Sequence, residues 1–315
     1  MGAIDPNLGT VFYAVDQKAT EKITFTRHTE TCLICHGSSA NQGLPGQLVR
    51  SVYADSTGNP ILRLGTHRID QTSPLKERWG GWYVTGTTGK QTHLGNLIVE
   101  EQCTDPDQLD TSAGLNITDL SKRIKTSAYL SPHSDVVALL VLEHQAEMHN
   151  MIGRAALEVR CAVHEQAALN KELGRPPDER WDSVTSRIKS AGERVVKYML
   201  MTGEIELTDK IEGTSEFARE FAKKGPRDKK GRSLRDLDLK HRLFAYPCSY
   251  LIYSPAFDGL PDPVKEHVFH RLWDVLAGKD QSKEFSHLSA DDRRAVLEIL
   301  LETKANLPEY WQGPK

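Results

Sequence analysis

The chain has 315 residues, 38% of them hydrophobic and 26% charged, which excludes a disordered tail and a membrane bundle. No apolar run approaches the roughly 20 residues a spanning helix needs. A formal charge of -3, from 40 Lys+Arg against 43 Asp+Glu, gives no reason to expect nucleic acid or anionic lipid as a partner.

Residues 1–27 form an opening segment in which Thr10–Val15 reads as a short strand. The start, Met1-Gly2-Ala3-Ile4-Asp5-Pro6, carries neither a charged n-region nor an apolar h-region. Next comes Cys32-Leu33-Ile34-Cys35-His36, a C-x-x-C-H string. Two thiols at this spacing can each form a thioether to one haem vinyl group, with the adjacent imidazole as proximal iron ligand. A thioredoxin-like dithiol should open a helix, but Gly37-Ser38-Ser39-Ala40-Asn41-Gln42-Gly43 is loop chemistry. A zinc site should have further ligands at comparable spacing, and there is no second C-x-x-C.

On Cys32, Cys35 and His36 the chain resembles the c-type cytochromes. The stretches Arg78–Gly86 and Arg242–Tyr253 are similar to segments of uncharacterised exported bacterial proteins with one such motif. The resemblance implies one covalent haem c, export to the periplasm or beyond with a leader replaced here by a short scar, and a redox partner protein. In that compartment a disulfide among Cys103, Cys161 and Cys248 is permitted, with one cysteine left over.

From Gly37 to Asn96 the texture is loop-rich and holds ten of the 23 glycines, with Leu48–Tyr53 and Gly81–Thr85 as short strand pieces. Glycine lets backbone approach a flat ligand closely, so this segment is expected to wrap the haem. Arg50, Arg68 and Arg78 are candidates for its propionates, because the guanidinium fork matches a carboxylate. Trp82, with Trp79 and Tyr83, either lines the porphyrin or fills the junction between this segment and the helices. No Met lies between His36 and Met148, so His93, in a glycine-flanked loop, is the first choice for the sixth iron position. His67 is the second choice, followed by His144 and Met148; His28 is a polar neighbour, and an open position is the remaining option.

After residue 132 the spacing predicts long helices: 134–169 with an apolar stripe, 177–202 opened by Pro177, 214–224, 234–254, 263–277 and 290–303. Ser289 with Asp292 three residues on predicts a cap for the last. The basic stretch 225–232 reads as a solvated loop, or less readily as a docking patch for an acidic partner. The expected architecture is mainly α, with an irregular haem c-binding segment over 1–130 packed on an α-helical domain over 131–315. The expected function is electron transfer by a mono-haem cytochrome c. The alternatives are a haem enzyme or small-ligand sensor with an exchangeable sixth position, and a docking subunit of a larger assembly.

Overall fold

A computed structural model describes residues 1–16, 18 and 22–312. At the front, β1 (Gly2–Asp5), β2 (Gly9–Val15) and β3 (Phe25–His28) form an antiparallel sheet in that order. The residues read as a leader scar thus form its first strand. The β1–β2 turn closes because Asp5 Oδ1 accepts the N–H groups of Asn7 and Leu8, and Gly9 supplies a φ of 74° that a side chain would resist. A second antiparallel pair joins β4 (Arg50–Val52) to β5 (Thr66–Arg68), with Arg50 opposite Arg68.

Seven helices are present among the described residues: α1 (Leu33–His36), α2 (Val136–Glu172), α3 (Asp182–Met199), α4 (Phe217–Lys223), α5 (Pro255–Asp258), α6 (Asp262–Leu276) and α7 (Ala290–Thr303). The 37 residues of α2 extend about 55 Å at 1.5 Å each. Asp135 caps it through Val137 and Ala138 N–H, and its second oxygen takes the N–H groups of Thr214 and Ser215. At α7 the cap is as expected: Ser289 and Asp292 bond each other's backbone reciprocally.

The expected mainly α class does not hold. Helix covers 42% and strand 9%, with two small sheets, so the architecture is mixed. One cause is local competition by aspartates. Asp55, Asp70, Asp110 and Asp119 each accept a neighbouring backbone N–H, which holds the front segment in turns. The same chemistry removes the helix expected over 234–254. There Asp236 and Asp238 bond Ser233, Lys240 and His241 N–H, Leu239 sits at φ 60°, and only Tyr250–Tyr253 keeps a 3-10 turn. The second long helix starts at Asp182 rather than Pro177. Asn170 holds the intervening turn by donating to the carbonyls of Pro177 and Glu179 and accepting from Trp181 Nε1. Gly81–Thr85 forms no strand and makes one isolated bridge, Thr85 to Asp135.

The main core is continuous from Ile69 to Trp311 and contains Leu75, Trp79 and Val84 of the irregular segment as well as α2, α3, α6 and α7. Polar groups are buried within it. Arg78 pairs with Glu143 at 2.7 Å, and Trp79 Nε1 donates to the same carboxylate. Burial pushes the Glu143 carboxyl up to about 7, against the pull of Arg78 and Trp79. His144 is fully buried, bonded through Nδ1 to Gln71 Oε1 at 2.6 Å and through Nε2 to Ser249 Oγ at 2.7 Å.

Burial holds His144 down to about 3, well below its ordinary 6.5. Unfolding therefore takes up a proton between these values, and stability is lost as pH falls from about 6.5 toward 3. His144→Gln removes that proton uptake. Urea unfolding should show the variant's destabilisation to be about 2 kcal/mol smaller at pH 5 than at pH 7. An equal loss at both pH values would show that His144 is not held neutral.

Candidate haem c site

The C-x-x-C-H string makes a single helical turn. Leu33 and Ile34 N–H both reach Glu30 O, His36 N–H reaches Cys32 O at 3.0 Å, and Gly37 N–H reaches Leu33 O at 2.9 Å. Positions three and four apart share a helix face, so Cys32, Cys35 and His36 lie together. Both thiols are free; Cys35 is exposed and Cys32 half-buried. Ile34 between them is 76% exposed, an apolar side chain left largely open by the described residues.

The chain then doubles back. Gly46 donates its N–H to His36 O at 3.0 Å, and His36 Nδ1 meets Gly46 O at the same distance. A carbonyl only accepts, so this bond requires the tautomer protonated at Nδ1. The lone pair is thereby left on Nε2, which has no hydrogen-bond partner among the described residues. Phe12 of β2 packs on the ring with centroids 4.5 Å apart, and His28 lies across the β2–β3 ladder from Phe12. An imidazole locked by its Nδ1 proton, with Nε2 free and two reachable thiols on the same face, fits the needs of haem c. Among the described residues no group of three or more His, Cys, Asp or Glu side chains is placed to hold a metal ion.

The other candidate residues are placed less favourably. His93 is buried beside Trp79, and its Nδ1 accepts the Gly95 N–H at 3.0 Å. Burial holds it down to about 4 and so neutral; its lone pair is occupied and its proton sits on Nε2. That is the reverse of His36. Arg78 is buried, and its Nε, Nη1 and Nη2 bond Ser73 O, Glu143 and Gln71 O inside the core. Arg50 is exposed, with Nε and Nη2 on Thr66 Oγ1. Trp82 donates Nε1 to Arg50 O and lines a cleft of ≈ 390 Å³ with Tyr83, Leu120, Tyr129 and His133. His67 stands beside Glu77 at 3.5 Å, Met148 is fully buried, and His144 uses both ring nitrogens in the core.

Most of the basic loop's cations pair with carboxylates of the same chain. Arg227 pairs with Asp236, Arg232 with Asp228 and Glu298, and Lys230 with Glu298. All five cysteines are unpaired, including Cys103, Cys161 and Cys248. No family model, curated protein or solved structure matches the chain.

Sequence reasoning missed Asn41, Gly46 and Asn150. The pair Pro45-Gly46 is a turn signal, but nothing local marks it as the acceptor for His36. A Cβ at Gly46 would lie 1.8 Å from Asn41 Nδ2 and 2.6 Å from Asn150 Oδ1. Gly46→Ala should therefore cost at least about 3 kcal/mol in urea unfolding. Gly43→Ala, at φ 74° with open space around it, should cost about 1 kcal/mol. Similar losses for the two would mean that the loop is not clamped as described.

Proposed function

We propose that this chain is an exported mono-haem cytochrome c that passes electrons to a redox partner. The observation that carries the reading is the His36 Nδ1 bond to Gly46 O at 3.0 Å, which fixes the ring and leaves Nε2 free beside two unpaired thiols. Cys32 and Cys35 would hold the porphyrin through thioethers, and His36 would take the proximal position. Haem c, when bound, supplies a one-electron couple. The Nδ1–H to carbonyl bond raises the basicity of His36 as a ligand, favouring the ferric state. Phe12 and the exposed Ile34 supply apolar surface next to the thiols.

One observation favours the second reading, a haem enzyme or small-ligand sensor. His93, His144 and Met148 are committed to core bonds or burial, so none of these three offers a strong sixth ligand. An exchangeable sixth position would suit a small molecule as ligand. The internally paired basic loop lends no support to docking in a larger assembly.

The test is expression of the full chain in an exporting host with haem c maturation machinery. Wild type should carry one covalent haem by mass, and Cys32→Ser with Cys35→Ser together should carry none. Wild type without covalent haem would end the proposal. Adding carbon monoxide to the reduced protein separates the two readings: an unchanged low-spin spectrum supports a carrier, and a shifted Soret band supports the open position. His93→Ala should leave the spectrum unchanged; a loss of low-spin character would restore His93 as ligand.

A further inference from the structure

The carbonyl that orients His36 belongs to a loop whose shape is imposed from α2, more than a hundred residues away. Gln47, next after Gly46, donates its N–H to Asn150 Oδ1 at 2.7 Å and accepts from Asn150 Nδ2 at 2.9 Å. Asn150 is thus a two-point clamp on one residue's backbone, and that residue adjoins the Gly46 carbonyl. The clamp is itself braced. Asn150 Nδ2 also donates to Glu147 Oε2 at 2.8 Å, one turn earlier on α2. Glu147 pairs with Arg68, whose Nη1 reaches back to Ala40 O at 2.6 Å, inside the same loop. Within the loop, Asn41 donates to His36 O at 3.2 Å and to Leu44 O at 3.1 Å. Asn150, Asn41 and Glu147 are all buried, where an amide or carboxylate has few alternative partners.

We infer that Asn150 is a positioning residue for the proximal histidine, setting the strength of the His36 Nδ1–H bond to Gly46 and through it the reduction potential of the haem. The inference rests on the haem c reading above. A held acceptor carbonyl keeps the imidazole electron-rich and favours ferric iron. Freed from the clamp, the Gly46 carbonyl drifts, the bond weakens, and the potential rises. Asn150 touches neither haem nor iron; its effect passes through backbone geometry.

The decisive measurement is redox titration of haem-loaded wild type, Asn150→Ala and Asn170→Ala. Asn170 is an equally buried α2 asparagine that secures the far turn, so its loss destabilises the fold without touching the loop. Asn150→Ala should shift the potential upward, and Asn170→Ala should leave it at the wild-type value. A haem-loaded Asn150→Ala at the wild-type potential overturns the inference while leaving the haem reading intact; haem-free wild type overturns the reading first. Should Asn150→Ala fail to fold, amide hydrogen exchange in the wild type gives the answer. The Gln47 N–H should exchange roughly tenfold or more slowly than that of exposed Ser56. Exchange at the same rate as Ser56 overturns the clamp.

Discussion

Four polar side chains on one helix hold this molecule together: Glu143, His144, Glu147 and Asn150 of α2 are all buried. A buried polar group without a partner is costly, so each requires a specific mate. In every case one mate comes from the irregular segment between residues 47 and 79, with Ser249 a second for His144. Glu143 takes Arg78 and Trp79, His144 takes Gln71, Glu147 takes Arg68, and Asn150 takes the Gln47 backbone. A segment with little regular hydrogen bonding is ordered by the helix it covers. Exposed ion pairs elsewhere, such as Arg187 with Glu165, contribute little by comparison.

This stitching links the fold to the candidate site. The loop carrying Ala40, Asn41 and Gly46 lies between the C-x-x-C-H turn and α2, and it is tied to both. The His36 imidazole is therefore oriented by a chain of backbone and amide contacts ending on a long, well-buried helix. A ring held this way has a fixed tautomer and a fixed direction, as the proposed haem ligand would need.

Buried titrating groups on this framework oppose one another. His93 and His144 are held below their ordinary values, while Glu143 and Glu204 are pushed up to about 7. Between about pH 4.5 and 6.5 the histidines make folding release protons and the carboxyls make it take them up. The two contributions largely offset across that window. Below it these two carboxyls are protonated in both states, and of the four groups only the histidines go on weakening the fold.

The sequence by itself determined what depends on neighbours in the chain. C-x-x-C-H spacing is a one-turn pattern, so the three side chains share a face wherever that turn forms. The long apolar stripe of α2 and the Ser289–Asp292 cap are equally local and equally legible. Tertiary structure alone decided which histidine keeps its lone pair. His36 faces a carbonyl and His93 an amide N–H, and both partners are set by how the chain folds back. It also decided that Arg78 belongs to Glu143, and that Asn150 grips Gln47 across a separation of 103 residues. Composition and periodicity record which residues prefer burial, but a hydrogen bond between distant residues exists only once packing has brought its two ends together.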